Sequence, residues 1–173
     1  VVDHVAHQLE DQLVVAAVND APITQDSQVS GTEDTAIYFT QADLLASASD
    51  VDTATDGQLL SISVILAAQN GVATLMPDGR VRFTPDADYN QGIGGLASFT
   101  YGVSDGAGGV TPTTVWVSLA AVNDAPRLQD ETVDAVEDLV LSIAPVDLLA
   151  NDGDVDDLRA DLRISAVSDA THG

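Results

Sequence analysis

The chain has 173 residues, 45% of them hydrophobic but only 4% aromatic, and carries 28 acidic side chains against five Arg and no Lys. A net charge of −23 excludes partners that demand a basic surface, nucleic acid and anionic membrane foremost. The absence of Cys excludes disulfides and thiolate metal sites, and no apolar run approaches the roughly 18 residues that cross a bilayer.

Taken in order, residues 1–12 read as part of a preceding unit. His4-x-x-His7 lies among Val, Ala and Gln with no further His nearby, so it is not taken as half of a metal site. Leu13 to Val18 reads as a final strand, ended by the turn-forming Asn19-Asp20 and by Pro22, which lacks a backbone donor. Strands are expected over Ile23–Val29 and Thr35–Thr40, with a turn at Gly31 to Asp34 between them. Leu44-Leu45 suits a short helical turn, and Ser47 to Gln58 a polar loop with Asp50, Asp52 and Asp56.

Leu60–Leu66 shows partial alternation and predicts a strand. Asn70-Gly71 is the strongest hairpin signal, leading into Val72–Met76. Pro77-Asp78-Gly79 turns the chain into Arg80–Thr84. A loop from Pro85 to Gly95 carries Asp86 and Asp88, and Tyr89 is expected to pack beneath it with its hydroxyl on backbone. Ala97–Ser104 and Thr113–Ala121 complete the set, joined through Asp105-Gly106-Ala107-Gly108-Gly109. Seven strands with turns about every ten residues predict an all-β fold, an antiparallel Greek-key β-sandwich with an aliphatic core. Trp116 and Phe99 are assigned to that core.

A segment recurs. Ala16-Ala17-Val18-Asn19-Asp20-Ala21-Pro22 returns as Ala120 to Pro126, an offset of 104 residues, the length of a small domain. Glu33-Asp34 returns as Glu137-Asp138, Asp43-Leu44-Leu45 as Asp147-Leu148-Leu149, and Asp50-Val51-Asp52 as Asp154-Val155-Asp156. The pattern is that of a tandem array. Residues 1–18 would end one repeat, 19–122 form a complete one, and 123–173 begin the next. Neither an initiator Met nor a signal peptide is visible, as expected of an internal fragment.

Alternating strands send loops to alternate ends of a sandwich. Asp50, Asp52, Asp56 and Asp105 then share one end with Asn19-Asp20. Glu33, Asp34, Asp86 and Asp88 share the other with Asn123-Asp124. Carboxylates gathered in this way repel unless protonated or joined by a cation. An oxygen-only set of Asp, Glu, Asn and carbonyls suits Ca²⁺, with six to eight ligands in flexible geometry, whereas Mg²⁺ demands a stricter octahedron and Zn²⁺ favours His or Cys. Asp152-x-Asp154-x-Asp156 fails as an EF-hand loop, since Asp157 stands where Gly is required and Arg163 where Glu is. No nucleophile motif or phosphate loop is present, and Asp86 with Asp88 lacks the aromatic platform of a glycosidase, so no catalysis is expected.

These residues together resemble the cadherin-like tandem repeats of large bacterial surface adhesins. The likeness rests on the Val-Asn-Asp-Ala-Pro linkers, the Glu-Asp turn, Asp-Leu-Leu before Asp-x-Asp, Phe83-Thr84-Pro85 with Tyr89, and Tyr101 to Gly106. The resemblance implies an extracellular Ca²⁺-binding spacer that supports adhesion or biofilm attachment and has neighbouring repeats as its partners. It implies ligand roles for Glu33, for Asp86 or Asp88, for the linker pair Asn123 and Asp124, and for Asp154 and Asp156. At the upstream linker it implies Asn19, Asp20, Asp50, Asp52 and Asp105; Asp34 and Glu137 complete the candidate set through the Glu-Asp turn and its recurrence. The linker is shorter than the fuller cadherin form, with Val122 where an acidic residue often stands. Rival readings are a glycan- or ligand-binding sandwich, which calls for exposed aromatics, and the non-catalytic stalk of a secreted enzyme.

Overall fold

The computed structural model describes residues 18–53 and 57–168. His4, His7, Asp56 and nearly all of the strand expected over 13–18 lie outside them. Among the described residues the strands are β1 (Ser27–Thr32), β2 (Ile37–Phe39), β3 (Ser61–Gln69), β4 (Gly71–Leu75), β5 (Val81–Pro85), β6 (Ala97–Ser104) and β7 (Val110–Ala120). They form a four-stranded sheet in the order β1-β7-β6-β3 and a three-stranded sheet in the order β2-β5-β4. Short helices cover Gln41–Leu45 and Gln91–Gly94. The first begins at a capping box, in which Thr40 and Asp43 satisfy each other's backbone donors.

One pairing departs from the antiparallel expectation. β1 runs parallel to β7, from Ser27 opposite Val115 to Thr32 opposite Ala120. The cause is topological: the chain enters the unit at one end and leaves at the other, so its first and last strands point the same way. Once β2 has joined the opposite sheet, β1 is left to cover the edge of β7.

Asn70-Gly71 is likewise not a hairpin. β3 pairs with β6 and β4 with β5, so the dipeptide carries the chain from one sheet to the other. Asn70 takes a left-handed conformation (φ 57°), and a Cβ on Gly71 would lie 2.5 Å from the Phe83 ring and 2.7 Å from the Thr84 carbonyl oxygen. The residues that signal a tight turn are used here for a crossing with close backbone approach.

The core lies between the sheets. Phe39, Val81 and Phe83 face it from one side, and Ile62, Phe99, Tyr101, Val103, Val115, Val117 and Leu119 from the other. It is less aliphatic than the composition suggests. Phe99 sits at its centre, its ring 5.7 Å from Phe83, 5.2 Å from Phe39 and 6.0 Å from Tyr101, centroid to centroid. Tyr101, not Tyr89, sends its hydroxyl to backbone, donating to the Leu44 carbonyl at 2.7 Å. Tyr89 instead accepts from Asn70 Nδ2 at 2.8 Å.

β7 alternates strictly, with Thr113, Val115, Val117 and Leu119 buried. Trp116 therefore faces outward and is 40% exposed, contrary to its assignment to the core.

Residues 121–168 follow β7 without adding a strand among the described residues. They contain a bridge between Arg127 and Gly153, a helix over Pro145–Leu148 and a 3-10 turn over Arg159–Asp161. The bridge reproduces one between Ile23 and Ser49, 104 residues earlier.

Candidate metal centre

The two Asn-Asp linkers are built alike. Asp20 N–H donates to Asp52 Oδ2 at 2.8 Å, and Asp124 N–H to Asp156 Oδ2 at 2.8 Å. Within each Asp-x-Asp loop the second N–H bonds the first carboxylate, Asp52 to Asp50 at 2.8 Å and Asp156 to Asp154 at 2.9 Å. Such short Asx links fix the loop so that its carboxylates face the linker.

At the upstream linker, Asn19 Nδ2 donates to Asp105 Oδ2 at 2.9 Å and Gln58 Nε2 to Asn19 Oδ1 at 2.9 Å. Asp105 is buried and also accepts from the N–H groups of Ala107 at 2.7 Å and Gly109 at 3.0 Å. The Asn19 amide, aided by these backbone donors, holds its carboxyl below the ordinary value of 3.8 against the opposing effect of burial. Asn19, Asp20, Asp52 and Asp105 are thus tied together around this linker. Asp50 stands beside Asp52, and its Oδ2 is buried with no hydrogen-bond partner among the described residues.

Among the described residues, the downstream linker gathers more charge. Glu33 is fully buried, accepting from Val122 N–H at Oε1 (2.8 Å) and from Asn90 Nδ2 at Oε2 (3.2 Å). Neither donor is a cation, so the buried carboxyl gains no counter-charge from either. Asp34 holds a left-handed backbone (φ 57°) and accepts from Asp88 N–H at 3.1 Å, which brings the Glu-Asp turn against the 85–90 loop.

Two sets of three carboxylates result, each with oxygens within 4.8 Å of one another: Glu33, Asp124 and Asp156, and Asp34, Asp88 and Asp124. Asp124 belongs to both. Burial, and then the charges of Asp88, Asp34, Asp156 and Glu33, push its carboxyl above the ordinary carboxylate value. Asp124 Oδ2 and Asp156 Oδ1 are buried and find no hydrogen-bond partner among the described residues.

Other candidates fall outside these sets. Asp86 is exposed on the same loop as Asp88 and uses its backbone to bond Asn70 and Tyr89. Asn123 is exposed, its amide donating to the Asp124 carbonyl at 2.8 Å. Asp154 serves through its bonds to the N–H groups of Asp156 and Asp157. Glu137 is exposed and joins no acidic set among the described residues. Two participants escaped the sequence reading, Asn90, which caps a helix and holds Glu33, and Arg127, whose guanidinium donates to Asp88 Oδ2 at 2.5 Å. The sequence signal for Asn90 was its N-cap position before Gly92; for Arg127 there was only its charge amid so many carboxylates.

The donor set is entirely oxygen, drawn from three or four segments far apart in the chain, with two buried oxygens lacking a donor. It fits a hard divalent cation such as Ca²⁺.

Residues 18–120 match the family model described as a cadherin-like domain. The chain belongs to the cadherin-like domain family. Domains of this class are adhesion-type modules and in general non-catalytic. Among solved structures, the ectodomain of human desmocollin-1 is similar at 14% identity and a TM-score of 0.35, over 64% of this chain and 23% of that one. The chain thus spans less than a quarter of that structure's length. No curated protein sequence matches. No helix among the described residues is long and apolar enough to cross a membrane.

Proposed function

We propose that the chain is a calcium-rigidified spacer from a tandem array of cadherin-like repeats in a large extracellular bacterial adhesin. In this reading residues 19–122 are one complete seven-stranded Greek-key repeat, 123–173 begin the next, and the array holds an adhesive or biofilm-forming surface away from the cell. The observation that carries it is the pair of buried, unpartnered oxygens of Asp124 and Asp156 beside buried Glu33. Those three carboxylates come from a sandwich, its linker and the loop that follows, so an ion held among them fixes the direction of the next unit.

Glu33, Asp34, Asp88, Asp124 and Asp156 would hold the ion or ions at the downstream linker. Asn19, Asp20, Asp50, Asp52 and Asp105 are the matching residues upstream. Bound Ca²⁺ would supply positive charge that lets these groups stay ionised together. This chain's own residues do the positioning: Asn90 and the Val122 N–H orient Glu33, while the Asp34–Asp88 link brings two loops together.

Extracellular modules bind Ca²⁺ with dissociation constants of about 10⁻⁴–10⁻³ M. At about 10 mM ion and about 1 mM for that constant, mass action contributes about 1.4 kcal/mol per site. That is small beside the stability of a domain and sufficient to fix an angle. Small-angle scattering in calcium and in EDTA tests the reading. The radius of gyration should fall on chelation while the β-sheet circular dichroism of the domain persists. An unchanged radius of gyration would sink it.

A further inference from the structure

Among the described residues, the downstream linker holds one feature that the upstream linker lacks. Arg127 lies five residues after Val122, and its backbone is pinned on both sides, N–H to the Gly153 carbonyl at 2.7 Å and carbonyl to the Gly153 N–H at 3.1 Å. From that fixed point its guanidinium reaches back to Asp88, in the loop of the preceding domain. The equivalent backbone at the upstream linker is pinned in the same way, to Ser49 at 2.8 and 2.9 Å, but the residue there is Ile23. Ile23 is exposed and carries no charge.

Asp88 is one of the three carboxylates in the outer set with Asp34 and Asp124. A guanidinium on its Oδ2 engages one of the two oxygens that Asp88 could offer an ion and adds a positive charge beside that set. Among the described residues, no hydrogen bond or ion pair joins Arg127 to Glu33, Asp124 or Asp156 of the inner set. The two sets are therefore unequal in a way that their carboxylates alone do not explain.

We propose that Arg127 is a built-in counter-cation that competes with divalent ions for the Asp34–Asp88–Asp124 set, weakening that site while leaving the Glu33–Asp124–Asp156 site intact. The proposal rests on the calcium reading above and adds to it: linkers of one chain differ in ion demand according to whether position 23 or 127 bears a charge. A linker with Arg needs less calcium to be neutral and gains less from saturation. Five carboxylates, one of them matched by Arg127, leave a charge that two divalent ions balance.

Calorimetric titration of the full chain with CaCl₂ tests it, using wild type, Arg127→Ile, Arg127→Lys and Asp88→Asn. Arg127→Ile copies the upstream residue at an exposed position. The expected result is that the weaker calcium step tightens roughly fivefold in that variant, as expected for removal of one exposed, partly screened charge. Arg127→Lys should stay close to wild type, and the gain should vanish when Arg127→Ile is combined with Asp88→Asn. If wild type and Arg127→Ile bind calcium with the same constants, or if the variant binds more weakly, the proposal is overturned and the calcium reading stands. If neither protein binds calcium, both fall.

Discussion

Asp105 and Asp124 show how neighbours decide what a carboxylate does. Asp105 is surrounded by donors, the Asn19 amide and the N–H groups of its own turn, which favour the charged form. Asp124 is surrounded by other carboxylates, and burial together with their charges favours the neutral form. The signs are opposite. A depressed folded-state pKa contributes stability above the ordinary value of 3.8, and that contribution disappears as pH falls through the folded value. Asp105→Ala should therefore melt below wild type at pH 7, with the gap narrowing as pH drops below about 3.8. Thermal unfolding of both proteins in EDTA at pH 7 and pH 3 checks this; a gap that widens in acid would contradict it. Asp124 acts the other way, so a proton there relieves crowding in the ion-free protein.

At the scale of elements, the arrangement depends on one strand more than on any other. β6 is buried on both faces over most of its length and lies between β7 and β3, with Phe99 at the centre of the four core rings. Phe99→Ala leaves a cavity against both sheets and should cost about 3–5 kcal/mol. Urea unfolding of the chain measures it; a loss below about 1 kcal/mol would mean the core closes over the gap. Ala97–Ser104 was legible to the residue because Phe99, Tyr101 and Val103 alternate along it between the Gly94-Gly95 pair and the Asp-Gly turn. The helical turn at Leu44-Leu45 was expected, but its start at the Thr40–Asp43 capping box was not, because Thr40 was read as the end of a strand. Asn70-Gly71 was misread because local turn chemistry says that the chain bends and not which sheet it bends into. Trp116 was misread because a scarce large aromatic suits a core, while period-two alternation on β7 was already set by Val115 and Val117. The structure joins Asp52 and Asp105 to Asn19-Asp20 and Asp34 to Asp88, and register within the 85–90 loop decides that Asp88 meets Asp34 while Asp86 joins no acidic set among the described residues.

At the scale of the whole molecule, the parallel contact between β1 and β7 has a mechanical consequence. A stretching load enters ahead of Ser27 and leaves beyond Ala120, pulling the two strands along their length in opposite directions. Six residue pairs then resist sliding at the same moment, rather than parting one after another as in a hairpin opened from its end. Single-molecule pulling through the chain ends should give one sharp rupture for the 18–120 unit. Substituting Val29 with Pro, which removes a backbone donor from β1, should lower that rupture force markedly. A unit that yields gradually at low force would show that tension finds a softer route. A tether made of such units would give way in discrete steps, each keeping its grip until the whole ladder slips.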